Sequence, residues 1–158
     1  MRKDRDYNDG FTHKGMRKIL VDTLRDKGIT DESVLDAINT VPRHFFLESA
    51  FEKIAYENRA FPISADQTIS HPYTVAYQTQ LLQIKKGDKV LEIGTGSIYQ
   101  TTILAALGAQ WVYTIERQKK LFDEQKEYYH FRKQYPNIKF FYGDGFKGLP
   151  TYAPFDKI

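Results

Sequence analysis

The chain has 158 residues, 41% hydrophobic and 27% charged, with a formal net charge of +3, the profile of one globular domain long enough to bury a real core. The small basic excess is interleaved with acids and does not argue for a nucleic-acid partner, and the absence of cysteine excludes disulfides, thiolate zinc sites and cysteine nucleophiles together. No apolar stretch approaches the roughly 20 residues of a membrane span, and the charged start "MRKDRDYNDG" has no apolar segment behind it, so neither a membrane role nor a secretory leader is expected and the expected location is the cytoplasm.

Residues 1–14 read as a polar arm. In "GMRKILVDTLRDKG" the apolar positions Met16, Ile19, Leu20 and Leu24 recur at helical spacing, and Gly28 is a natural stop. "TDESVLDAINTV" predicts a second short helix capped by Thr30 or Asp31, with Val34, Leu35, Ile38 and Val41 facing inward and Pro42 ending it. Residues 43–72 hold no sustained period. A connection that long inside a compact domain is uncommon and is often functional. A helix then begins at "PYTVAYQTQLLQI", where Pro72 suits the first helical position and Ser70 or His71 can cap it. Val75, Thr79 and Leu82 mark its inner face.

After "KKGD" the pattern becomes strand–helix alternation: "KVLEIG" as a strand, "YQTTILAALG" as a helix closed by Gly108, and "WVYTIE" as a strand. "QKKLFDEQKEYYHFRKQYP" follows as one long helix stopped by Pro136, then "KFFYGDG" as a third strand and "FDKI" as the opening of a fourth. Such alternation implies an α/β fold with a parallel sheet and right-handed crossovers. One domain is expected over 1–158, in two parts: an N-terminal helical and acceptor-side segment, 1–85, and a βαβαβ ligand-binding half, 86–158.

In open parallel sheets ligands bind beyond the carboxyl ends of the strands, which directs attention to "EIGTGSIYQ". Gly94 and Gly96 let backbone approach a ligand closely, and the helix behind them offers free N–H groups. The third glycine of a dinucleotide fingerprint would fall at Tyr99, and no G-K-[S/T] follows, so pyrophosphate and P-loop sites are both excluded. A G-x-G alone is equally a tight strand–helix turn. Glu116 closes the second strand, where an acid accepts from both hydroxyls of a ribose. Asp144, in "GDG", is placed to accept from an adenine amino group, although Asp and Gly also make plain turns. Acids at three strand ends oppose a pyrophosphate and suit a cationic nucleoside such as S-adenosylmethionine. The histidines, His13, His44, His71 and His130, show no metal-ligand spacing, and no metal is expected.

Taken together, "VPRHFF", "AYENRAFPI", "DQTISHPYTVA", "KVLEIGTGSIYQTTILAALGA", "VYTIER" and "YGDG" closely resemble the protein-L-isoaspartate O-methyltransferases, in their order and with their spacing. The resemblance implies the Rossmann-like fold of class I methyltransferases. It implies an enzyme of protein repair that methylates the side-chain carboxylate of L-isoaspartyl residues in damaged proteins and peptides, with S-adenosylmethionine as cofactor and S-adenosylhomocysteine as product. Carried over by position, Glu92, Gly94, Thr95, Gly96, Ser97, Glu116, Arg117, Asp144 and Gly145 would hold the cofactor. Ser70 would be the active-site serine, and Gln67, Thr68 and Ile69 would line the acceptor site. The reading of Ser70 as the cap of the helix at Pro72 stands beside that role.

The chain departs from the family pattern in two ways. Ile98 stands where a glycine is expected, and a β-branched side chain disfavours positive φ. It is expected to project toward the methionine end of the cofactor, so that Ile98→Gly tightens binding. Family members also continue beyond the strand that "FDKI" opens, so the chain reads as C-terminally truncated, with the last strands missing. The first strand of the sheet is then expected to show an unpaired edge, which invites homo-oligomer formation. The alternative to an active enzyme is accordingly an inactive or weakly cofactor-binding homologue that folds through self-association.

Overall fold

In the computed structural model, which describes residues 7–158, the first helix, α1, runs Phe11–Asp26 and takes in part of the stretch read as a polar arm. Residues 1–6 of that arm lie outside the described residues. The buried face of α1 is Arg17, Leu20, Val21 and Leu24, and Ile19 is 67% exposed. The helix is therefore rotated from the face that periodicity selects. Arg17 explains the rotation, because its guanidinium donates to both carboxylate oxygens of Asp9 (2.9 and 2.8 Å) and to Tyr56 Oη (3.1 Å). A buried charge satisfied this way by a bidentate carboxylate outweighs one exposed isoleucine.

Helix α2, Glu32–Thr40, is capped by Asp31, whose carboxylate accepts from the amides of Ser33 and Val34. The irregular segment after it carries two short 3₁₀ turns, Arg43–Phe46 and Ser49–Ile54, and an antiparallel ribbon, β1 (Phe61–Pro62) with β2 (Thr68–Ile69). Helix α3, Pro72–Leu82, starts on its proline, with His71 at the cap position and no side-chain cap bond. Ser70 is thus free of the capping role.

The parallel sheet is built from β3 (Lys89–Ile93), β4 (Trp111–Glu116) and β5 (Ile138–Tyr142), in the order β3-β4-β5. Register pairs Lys89 with Trp111 and Val112 with Ile138. Helix α4, Tyr99–Ala106, connects β3 to β4. The stretch expected as one long helix before β5 is broken into α5 (Lys119–Glu124), a 3₁₀ turn (Gln125–Glu127) and α6 (Tyr129–Gln134). Aromatic packing accounts for the break: Tyr128 and Phe131 are buried against Phe46, with ring centroids 5.7 and 4.6 Å away. Burying the two rings offsets the helical hydrogen bonds lost at the break.

The main core joins α1, α2, the 43–47 turn and α3 to α4 and to Tyr128 and Phe131. The sheet is covered on both faces: Val90 and Val112 pack with Leu104, and Leu91, Tyr113 and Ile115 pack with Tyr152 and Phe155. That is why these strands read as near-continuous apolar runs. The last residues return to the free side of β3, where Val90 pairs in parallel with Lys157, Leu91 N donates to Lys157 O (3.0 Å) and Asp156 N to Lys89 O (2.8 Å). Over Lys89–Leu91 the edge expected to be bare is therefore occupied by the chain itself. No helix among the described residues is long and apolar enough to cross a membrane.

Candidate active site

Two adjoining cavities lie at the carboxyl ends of the strands. The larger, about 580 Å³, is lined by Thr68, Ile69 and Ser70, by residues of α3 and β3, and by the loop and first residues of α4 from Gly94 to Gln100 except Ile98. The second, about 400 Å³, lies across the ends of β3, β4 and β5 and takes in Gln67, Glu116, Arg117, Asp144 and Gly145. Thr68, Ile93, Gly94 and Gly96 belong to both walls. Every residue singled out as a site residue lines one of the two: Thr68, Ile69, Ser70, Glu92, Gly94, Thr95, Gly96 and Ser97 the first, and Gln67, Glu116, Arg117, Asp144 and Gly145 the second.

The glycine loop is held by its neighbours rather than by its own contacts. Gly94 sits at φ +91 with its N–H on Ile115 O (2.8 Å), a conformation that a side chain would strain. Glu116 clamps the loop: one carboxylate oxygen accepts from Gly96 N (3.0 Å), the other from Gln118 N (2.8 Å). A Cβ at Gly145 would stand 2.3 Å from Ile93 Cγ2, so only glycine lets the β5 loop come this close to β3. Asp144 accepts from Phe146 N (3.0 Å) and so makes the plain turn as well as lining the cavity.

Glu92 is the electrostatic centre of the larger cavity. Its Oε2 accepts from Thr101 Oγ1 and Thr114 Oγ1, both at 2.6 Å. Thr114 spends its proton on Glu92, so Thr95 Oγ1, 2.6 Å from Thr114 Oγ1, is the donor in that pair. Glu92 Oε1 is shielded from solvent and has no hydrogen-bond partner among the described residues. Burial pushes its carboxyl up to about 7, against the opposing pull of the two threonines.

Ile98 occupies the left-handed region, at φ 71 and ψ −6, as the cap residue of α4. Its side chain is 2% exposed and packs in the main core, and it does not line either cavity. The expectation that it projects toward a cofactor is therefore corrected: left-handed backbone turns the side chain inward. Ile98→Gly relieves roughly 1–2 kcal/mol of backbone strain but empties a buried site worth about 2–5 kcal/mol. The expected result is a protein less stable by about 1–3 kcal/mol in denaturant titration, with cofactor affinity unchanged by calorimetry. A clear gain in affinity would restore the opposite view.

Spacing did not expose every residue of interest. Thr101 and Thr114 donate to Glu92 and oppose the effect of its burial, and Phe146, 99% exposed, stands at the rim of the smaller cavity. The fold also brings His13, His44 and Glu52 together, with potential ligand atoms within 4.8 Å of one another. The two imidazoles stack at 3.8 Å and 16°, His44 Nδ1 meets Tyr56 Oη at 2.7 Å, and His13 Nε2 lies 3.2 Å from Glu52 Oε1. Stacked rings direct their in-plane lone pairs side by side rather than at one point, so this geometry suits an imidazole stack with a His13–Glu52 contact.

The sequence model of the protein-L-isoaspartate(D-aspartate) O-methyltransferase family matches residues 15–158. A protein-L-isoaspartate O-methyltransferase of Christiangramia forsetii is 56% identical over 153 residues, covering 95% of this chain and 70% of its own length. The Flavobacterium johnsoniae protein of the same name is 57% identical over 150 residues, again 95% and 70%. A solved protein-L-isoaspartate O-methyltransferase superposes with a TM-score of 0.75 at 26% identity, over 88% of this chain and 45% of that one. A Plasmodium falciparum beta-aspartate methyltransferase in complex with S-adenosyl-L-homocysteine shares the fold, with a TM-score of 0.65 at 24% identity over 80% and 62%. With this fold, these two cavities and matches that run along nearly the whole chain, the protein belongs to the protein-L-isoaspartate (D-aspartate) O-methyltransferase family, whose members depend on S-adenosylmethionine.

Proposed function

We propose that this chain transfers a methyl group from S-adenosylmethionine to the side-chain carboxylate of L-isoaspartyl residues in damaged proteins, in the cytoplasm. The observation that carries the reading is the shielded, unpartnered Glu92 Oε1 beside the glycine loop, an acceptor with nothing to accept from until a cationic ligand arrives. The lining suits the cofactor: acids and glycines gather at the strand ends, and Arg117 is the single basic side chain among the cavity-lining residues.

When bound, the cofactor supplies an electrophilic methyl group on a sulfonium. Glu92 would hold its ammonium group, Glu116 its ribose hydroxyls, and Asp144 and Gly145 its adenine, with Thr95, Ser97 and Arg117 completing the wall. Residues 86–158 provide this half and residues 1–85 the acceptor side. Ser70 lines the larger cavity and is not engaged in helix capping, so its hydroxyl is available to orient the acceptor carboxylate. Gln67, Thr68 and Ile69 would shape the groove around it. An acceptor carboxylate is already ionised at neutral pH, so the residues need only align it and exclude water.

Radiolabelled methyl transfer to an isoaspartyl peptide, with the aspartyl peptide as control, tests the reading. Transfer to the isoaspartyl peptide alone is expected, and Ser70→Ala should lower kcat/KM about tenfold, the value of one hydrogen bond. A folded protein that labels neither peptide would instead be an inactive homologue.

A further inference from the structure

Arg43 is fully buried, and among the described residues its guanidinium donates to backbone carbonyls rather than to a carboxylate. Nε donates to Ala55 O (3.1 Å), while Nη2 bridges Arg59 O (3.3 Å) and Ser70 O (2.7 Å). These last two carbonyls flank the β1–β2 ribbon, which carries Gln67, Thr68 and Ile69. One nitrogen therefore ties the two strand ends of the acceptor-side ribbon together. The guanidinium also lies 5.0 Å from the ring centroid of Tyr99, the first residue of α4, which lines the larger cavity. The ribbon reaches over the glycine loop: Ile63 Cδ1 lies 4.0 Å from the position of a Cβ on Gly96.

Burying a guanidinium is costly unless hydrogen bonds compensate the water it loses. Here burial works against its charge, and Nη1 still lacks a partner among the described residues. A ribbon of two short strands has little stability of its own, and its turn holds Ala65 and Asp66 at φ 59 and φ 53, a strained pair. Something outside the ribbon has to hold it.

We propose that Arg43 is a positioning residue that fixes the acceptor ribbon and the Ser70 carbonyl against the start of the cofactor helix. The role in methyl transfer rests on the proposed function; the positioning itself does not. Lysine cannot reproduce it, because its donors radiate from one nitrogen, whereas these carbonyls are served from both Nε and Nη2 of a planar group that also lies over Tyr99.

The test uses Arg43→Lys and Arg43→Gln. Amide exchange at Gln67–Ser70 should accelerate about tenfold or more, KM for an isoaspartyl peptide should rise about tenfold, and the calorimetric Kd for S-adenosylmethionine should stay within about threefold. Unchanged exchange at Gln67–Ser70 in a folded variant overturns the inference. So does a KM that stays put while kcat and cofactor affinity fall together. If both variants fail to fold, the residue serves global stability and the inference is overturned as well. If the wild type proves inactive while the exchange changes appear, the functional reading fails and the positioning stands.

Discussion

Glu92→Gln is expected to stabilise the free protein at pH 8 by about 2 kcal/mol and to weaken S-adenosylmethionine binding about tenfold. The two effects share one cause. The folded carboxyl titrates near 7, against an ordinary 4.5, so between these values the folded chain keeps a proton that the unfolded chain has released. Stability from this group is full below about pH 4.5, declines through that window and is lost above about pH 7. The shift corresponds to roughly 3 kcal/mol at 1.36 kcal/mol per pH unit. Glutamine keeps an oxygen for Thr101 and Thr114 and cannot ionise, but it places an amide where Oε1 stood, which costs part of the gain. Denaturant titrations from pH 5 to pH 8 should show the variant gaining on wild type as pH rises. Parallel profiles would refute the buried, neutral state. Wild-type cofactor affinity should climb with pH through 7, because only the ionised carboxylate attracts an ammonium, and the variant should lack that rise.

Glu116→Ala is expected to weaken cofactor binding by about 100-fold or more. Its carboxylate accepts from Gly96 N and Gln118 N and is 5% exposed, and hydrogen bonds to a charged group are worth roughly 1.5–3 kcal/mol each. Alanine leaves both amides without an acceptor and frees the glycine loop at its midpoint. Glu116→Gln should fall between the two, since one amide N–H then meets its NH₂ group. Calorimetry with S-adenosylmethionine decides this, and near-wild-type affinity in both variants would mean that the loop holds its shape without the clamp.

Much of the fold was legible because it rests on local rules. Asp31 caps α2 in its own turn, Pro72 opens α3, and the apolar runs at Lys89–Ile93 and Trp111–Glu116 become buried parallel strands. The failures fall where a distant partner overrides a local preference. The face of α1 is set by Arg17 reaching Asp9 and Tyr56, and the break before α6 by Phe46, more than eighty positions away. Neither contact leaves a trace in periodicity.

The candidate site divides the same way. Spacing selects Gly94, Gly96, Glu116 and Asp144, because the carboxyl ends of consecutive parallel strands must lie side by side, and it rules out a pyrophosphate at Tyr99. Spacing does not report which way a side chain turns. Ile98 is read correctly as a conflict with left-handed backbone, but only the packed structure sends its side chain into the core instead of the cavity. The raised carboxyl of Glu92 and the Arg43 clamp also belong to tertiary structure. Burial and hydrogen-bond partners come from residues brought together by the fold, and the order of amino acids along the chain determines them only through that fold.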